Sequence, residues 1–431
     1  MLTKIEQAKY FHRNFKFEES LKICNEILEK DPKNIYALSI VAACHLDKGD
    51  YEKAVPMLTH LINVNPDDIV SITNLSSAMR EVSYIDESEK LAMIAYDKEP
   101  KNPLTLQNLG QFYTVTGKHQ EAKNIYTYLC YIDTKNVLGH LALGNCLLLE
   151  GETDAGLREL ETGNILHELE DLNNEPIPGM AWNGMKMKNG KLLVILNQGF
   201  GDSIQHSSRI KSAAEKCDRG VIICGQPEIL PLFKYIDGVV SVVENGGITE
   251  GYSAYCRITS LASLGCEVEP SGYIKNVVPS YQKRSRPLVG LSWRGRPVPR
   301  ARSIPLEFLK AELSNLDVDF VSLQHDTTAE EFQLFPMMVN PVIENLEDIA
   351  KVIASCDIII GIDSAMIHLA GAMKKTGLVL LSCHWDYRWG LNKTGPSPLY
   401  PTINMTRQEK MGDWTVPIMS AREYIENFIR T

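Results

Sequence analysis

Ten cysteines are present in 431 residues, yet none falls in a Cys-x-x-Cys pair. Metal sites and disulfide frameworks are recognised by such spacings. The scattered thiols, Cys24, Cys44, Cys224 and Cys356 among them, therefore read as reduced and buried, the pattern of a cytosolic protein. No apolar run approaches the roughly 18 residues that could cross a bilayer. The start, Met1-Leu2-Thr3-Lys4-Ile5-Glu6, lacks the charged-then-apolar layout of a signal peptide. These absences point to a cytoplasmic protein with no membrane span. Basic charge is also scarce. The net charge is −10, and residues 1–168 alone hold 17 Lys+Arg against 25 Asp+Glu, or −8. A protein that tracks a nucleic-acid backbone carries a basic stripe, so nucleic acid is disfavoured and a protein partner is expected.

What the chain does have is a period. Asp31-Pro32, Asn65-Pro66, Glu99-Pro100 and Asp133-Thr134 follow one another at intervals of 34 residues, the signature of a helical repeat array. The columns agree in phase. Ser20, Ala54, Ser88, Ala122 and Gly156 are all small, as close helix packing requires. Gln7, Val41, Leu75, Leu109 and Leu143 are each followed by a small residue: Ala8, Ala42, Ser76, Gly110 and Gly144. Gly49, Gly117 and Gly151 open the turns between paired helices. This pattern resembles the tetratricopeptide family over residues 1 to about 168, with four units and an incomplete fifth. The resemblance implies a solenoid whose stacked helices form a docking surface; a spacer or dimerisation arm is the alternative. Gln7 occupies a core column, which fits a solvent-facing cap on the first unit.

Periodicity stops between Glu168 and Gly190, where Asn173-Asn174-Glu175-Pro176-Ile177-Pro178-Gly179 is turn chemistry. Trp182 is the one anchored aromatic of this linker. Short apolar strands then alternate with helices: Lys191–Leu196, Gly220–Cys224, Val239–Val243, Leu288–Ser292, Phe320–Leu323, Asp357–Ile360 and Leu378–Leu381. Such alternation indicates parallel sheets covered by helices on both faces. A break near Tyr281–Arg286 suggests two lobes, with ligands at the carboxyl ends of the strands.

Three strand-end loops carry the candidate chemistry. The first is Asn197-Gln198-Gly199-Phe200-Gly201-Asp202-Ser203, where Gln198, Gly199 and Gly201 allow close backbone approach and Asp202 is either a helix N-cap or a group aimed at the cleft. Ile204 stands where a dinucleotide fingerprint needs its third glycine, which argues against an oxidoreductase. The second loop follows Ser292. From Lys283 to Arg302 there are seven basic residues and no acidic one, a clamp for phosphate or carboxylate or else a solvated linker. Arg294 and Arg302 are its better candidates. In the third, Gly361-Ile362-Asp363-Ser364-Ala365-Met366-Ile367-His368, the backbone of Ser364, Ala365 and Met366 offers helix-start N–H groups to a phosphate. Asp363 is an N-cap or a ligand contact, and His368 lies one turn on. The only Asp-x-Asp, Asp317-Val318-Asp319, reads as a strand edge rather than a metal site.

The segments Gly201-Asp202 and Gly361–His368, with the two-lobe layout, resemble bacterial glycosyltransferases of the heptosyltransferase-like superfamily, which have the GT-B fold. The whole chain resembles bacterial fusions of a tetratricopeptide array to such a domain, a group that includes flagellin glycosyltransferases. Asp386-Tyr387-Arg388-Trp389, Ser397–Pro401, Arg407-Gln408 and Gly412-Asp413-Trp414 fit the same group. The resemblance implies an α plus α/β chain: repeat array 1–168, linker 169–190, acceptor-side lobe 191–284 and nucleotide-sugar lobe 285–431. It implies inverting transfer of a sugar from a nucleotide-activated donor to a protein hydroxyl, with Asp202 as general base and with neither metal nor cofactor expected. Arg294, Arg300, Arg302, Asp363, Ser364, Ala365, Met366 and His368 would hold the donor, and Asp386, Arg388 and Trp389 are candidates for acceptor or sugar contacts. Heptosyltransferases place a lysine after the clamp strand, where this chain offers Arg294, Arg300 and Arg302. The alternatives are a binding-only scaffold and a transferase acting on a nucleobase or a glycan.

Overall fold

The computed structural model describes residues 3–170, 179–247, 251–295, 302–384 and 386–430. The chain divides into two compact units, one of residues 1–146 and one of Leu147–Gly295 with Arg302–Thr431.

The first unit is a helical repeat array. Its helices are α1 (Lys4–Arg13), α2 (Phe17–Leu28), α3 (Ile35–Asp47), α4 (Tyr51–Val64), α5 (Ile69–Glu81), α6 (Ile85–Lys98), α7 (Pro103–Val115), α8 (His119–Ile132) and most of α9 (Val137–Leu149). The small-residue columns are packing requirements. A Cβ on Gly110 would stand 2.7 Å from the Tyr126 ring, and Ser76 and Ser88 bond each other's carbonyls at 2.9 and 2.8 Å. Val41, Leu75, Leu109 and Leu143 are buried, as their column predicts. Helix starts are capped by asparagine: Asn34 Oδ1 accepts from Ala37 N and Asn102 Oδ1 from Leu104 N.

The second unit begins with the last turn of α9, then α10 (Thr153–Glu170), β1 (Met180–Ala181), β2 (Leu192–Ile195), α11 (Phe200–His206), α12 (Ile210–Glu215), β3 (Val221–Gly225), β4 (Val239–Glu244) and β5 (Ala254–Arg257). After these come β6 (Leu288–Ser292), α13 (Leu306–Leu313), β7 (Asp319–Ser322), α14 (Ala329–Leu334), β8 (Met338–Val339), α15 (Leu346–Ser355), β9 (Ile358–Ile362), α16 (Ala365–Ala372), β10 (Gly377–Leu381), β11 (Thr394–Pro396), β12 (Ile403–Arg407) and α17 (Thr415–Arg430). The strands form two sheets. The first has the order β1-β5-β2-β3-β4, all parallel. The second runs β11-β12-β10-β9-β6-β7-β8, parallel except for the β11 edge.

Strand order locates the crevices. Without β11, the second sheet's strands in order of appearance lie 3-2-1-4-5-6, the doubly wound arrangement, whose chain direction reverses between β6 and β9. In the first sheet the reversal lies at β2 and β5. Ligand crevices open at such points because the two connections leave in opposite directions. Gly361 keeps β6 and β9 close at that end, since a Cβ there would stand 2.3 Å from Ser292 Oγ. Helix α11 follows the first reversal and α16 the second, and they pack together in one core through Ile204, Met366 and Ile367. Trp182 is buried in that core, with its indole N–H donated to Met185 O at 2.9 Å.

Candidate active site

Each switch-point loop has its own helix start. Gly199 is the N-cap of α11, in extended conformation, and Asp202 follows in the first turn without capping it. Its carboxylate instead meets Arg388, whose Nη1 donates to Asp202 Oδ1 at 2.6 Å. At the second loop Ser364 is the N-cap of α16, and its side chain makes no capping bond. Asp363 is therefore not a cap either. Its Oδ1 lies 3.5 Å from His368 Nε2, and its Oδ2 lies 3.8 Å from Arg302 Nη1. The two loops touch: a Cβ on Gly201 would stand 3.2 Å from His368 Cδ2 and 3.6 Å from the backbone N of Ala365. Glycine leaves room for this approach, since any side chain would press on the His368 ring.

His368 is locked on several sides. Its Nδ1 is 3.0 Å from Tyr400 Oη, and its ring stacks on Trp389 with centroids 5.2 Å apart. Tyr400 reaches it because Gly371 lies under the tyrosine ring, where a Cβ would be 2.3 Å away. Trp389 is buried, so the candidate sugar contact is a packing surface for His368 in this structure. Ser364 Oγ, Arg302 Nε and His368 Nε2 are buried without hydrogen-bond partners among the described residues. Three unused polar atoms around one helix start suit an anionic ligand.

Charge in the site is shared by three aspartates and three arginines. Arg388 pairs in two-pronged fashion with Asp386, Nε to Oδ1 at 2.8 Å and Nη2 to Oδ2 at 2.5 Å. Burial works to raise the Asp363 carboxyl, but Arg388, His368 and Arg302 outweigh it and hold the group well below the usual carboxylate range. Asp386 is likewise held low, Arg388 overcoming the effect of burial. Arg407 donates to Ser382 O and His384 O at 3.3 and 2.7 Å, which staples the loop after β10. Burial pushes Arg407 down to about 10 and pushes His384 below its ordinary value. His206, one turn beyond Asp202, is pushed down to about 4, chiefly by burial.

Other expected residues have different surroundings. Arg294 gives Nη1 to Asp326 at 2.7 Å, and Nε and Nη2 to Glu331 at 3.2 and 3.1 Å. It ties the end of β6 to α14, so its charge is already matched. Arg284 and Arg286 pair with Asp317 and Asp319, which accounts for the Asp-x-Asp as a strand edge. Arg300 lies outside the described residues. Sequence reasoning passed over His206 and His384. His206 had one available signal, its four-residue spacing from Asp202 on the same helix face.

No protein-family model matches the chain. It is similar to Protein FlbA of Caulobacter vibrioides, 21% identical over 444 aligned residues that cover 84% of this chain and 74% of that protein. That coverage is longer than either unit alone, so the likeness extends into both. A second likeness, to anaphase-promoting complex subunit 3 of Schizosaccharomyces pombe, is 23% identical and covers 36% of this chain and 23% of that protein. Among solved structures, a crystal structure of MamA is 16% identical with a TM-score of 0.33, covering 38% of this chain and 95% of that one. TTC0263, a thermophilic TPR protein of Thermus thermophilus, is 16% identical with a TM-score of 0.35, covering 39% of this chain and 92% of that one. Among the described residues no helix is long and apolar enough to cross a membrane.

Proposed function

We propose that the chain is a glycosyltransferase that moves a sugar from a nucleotide-activated donor to a hydroxyl of a protein, flagellin being the acceptor type of the fusions it resembles. The observation that carries this reading is the meeting of the two switch-point loops, Gly201 beside the N-terminus of α16. The two sheets act as the lobes of a GT-B enzyme. Donor phosphate sits at the start of α16 with Arg302 and His368, where helix N–H groups and fixed positive charge stabilise the departing oxygen. Asp202 takes the proton of the acceptor hydroxyl as that oxygen attacks the anomeric carbon and the carbon–phosphate-oxygen bond breaks. The phosphate leaves as an anion, so no acid is needed on its side, and the arginines and helix start do the work a divalent ion does elsewhere. The array selects the acceptor.

Asp202→Asn should lower transfer by at least about a hundredfold, within the usual range for loss of a general base. The measurement is mass spectrometry of an acceptor protein co-expressed with each form. Undiminished modification by the variant would remove Asp202 from the mechanism. A binding-only scaffold would release no sugar from any of a panel of sugar nucleotides, which separates that reading from this one.

A further inference from the structure

We propose that Arg388 is a ligand of the donor phosphate that Asp202 holds in reserve, one guanidinium serving the carboxylate in the free protein and the anion when donor is bound. This rests on the proposed glycosyltransferase reading.

The geometry assigns Arg388 to both halves of the site at once. It belongs to the loop after β10 in the second sheet, while Asp202 belongs to α11 behind the first. The pair at 2.6 Å spans the two loops. Asp386 grips the other side of the guanidinium through Nε and Nη2, which anchors the arginine while leaving its Nη1 edge free to change partners. Among the described residues three of its five N–H groups are used on side chains, leaving two for a further acceptor. Its partner Asp202 follows Gly201, which lies against Ala365 at the helix start that faces the donor, and Arg388 is the foremost favourable electrostatic influence on the Asp363 carboxylate. Arg302, Arg407, His206, His368, His384 and Tyr387 are among the charged and titratable groups around it.

A formal count gives three carboxylates, Asp202, Asp363 and Asp386, against three guanidiniums, Arg302, Arg388 and Arg407. A site matched in this way carries no formal surplus of positive charge, so its attraction for an incoming phosphate rises when one carboxylate gives up its partner. Asp202 is the one that can, because its side chain is 37% exposed while those of Asp363 and Asp386 are 12% and 20% exposed. Water can compensate it as Arg388 turns to the anion. The exchange leaves Asp202 unpaired when donor is in place, the moment at which a base is useful.

The consequence is opposite in sign to ordinary loss of a site residue: removing the Asp202 charge should tighten nucleotide binding. Calorimetric titration of the full chain with UDP, GDP, ADP, CMP and inorganic pyrophosphate tests this, with thermal melts to check folding. Whichever probe binds the wild type should bind Asp202→Asn roughly threefold to tenfold more tightly, the span expected for releasing one partly exposed ion pair. Arg388→Gln should bind it about tenfold more weakly, the loss of one charge-assisted contact. The double variant should bind no more tightly than Arg388→Gln alone, because the gain acts through the arginine. Unchanged or weaker binding by folded Asp202→Asn overturns the proposal, whatever becomes of Arg388→Gln. Binding by the wild type with that result leaves the glycosyltransferase reading standing, whereas no binding of any probe to any form overturns both.

Discussion

His206 and Asp202 stand one turn apart on α11, and their different chemistry makes a test at the residue scale. The imidazole of His206 is held neutral down to about 4 in the folded chain, against about 6.5 when unfolded. The unfolded state therefore binds the extra proton first, and stability present above pH 6.5 is lost as pH falls toward 4. His206→Asn should flatten that loss by about 1–2 kcal/mol, discounted because the residue keeps some solvent exposure. Chemical denaturation of both forms at pH 7 and pH 4.5 measures it, and parallel pH dependence would show that the ring carries no such load. The fates of Asp202 and Asp363 show the limit of reading single residues. Both stand near helix starts where aspartate serves as an N-cap, yet Gly199 and Ser364 take those positions. The carboxylates go to Arg388 and Arg302, groups distant in sequence, and to His368, one turn on from Asp363. Arg294 shows the reverse, a promising basic residue matched by Asp326 and Glu331.

At the scale of elements, the array turns share one backbone requirement. Phe15, Gly49, Ser83, Gly117 and Gly151 all have positive φ, from 57° to 84°, and are 34 residues apart. The turn between paired helices needs a left-handed residue in every unit. Sequence shows this only where glycine fills it, while Phe15 and Ser83 bear the strain of a side chain in that region. Ser83→Gly should stabilise the chain by about 0.5–1 kcal/mol, and Gly117→Ala should destabilise it by about 1–2 kcal/mol. Opposite shifts in thermal midpoint are the expected result. Equal shifts would mean the turns relax out of that conformation. Seven strands were legible as apolar runs, most of them buried on both faces as Ile358–Ile362 is, while β4 is an apolar run that stays largely exposed. β5 and β12 were not, since Ala-Tyr-Cys-Arg and Ile-Asn-Met-Thr-Arg mix polar residues into the run. Their pairing with β2 and β10 is what makes them strands.

At the scale of the molecule, the acidic surplus lies in the repeats and the candidate chemistry in the second unit. The last repeat helix, α10, belongs to that second unit: Ser260 Oγ donates to Glu161 at 3.0 Å, and Asn164 Nδ2 to Thr259 Oγ1 at 3.5 Å. A truncation meant to remove the array should therefore begin at Gly151 and keep α10. On the proposed glycosyltransferase reading, such a chain should retain most sugar-nucleotide hydrolysis and lose at least about tenfold in modification of a protein acceptor, the scale at which one docking interaction changes affinity. Equal losses of both would place the array's role in folding rather than selection. The sequence by itself determined the 34-residue period, the small-residue columns, the alternating strands and the two glycine-edged loops, because each depends on residues near in the chain and on the periodicity of helix and strand. Tertiary structure alone decided that Arg388 meets Asp202, that His368 is fixed by Tyr400 and Trp389, and that Arg294 is matched elsewhere. Ion pairs and close helix approach form between segments up to 186 residues apart, and no local pattern fixes which charge will face which.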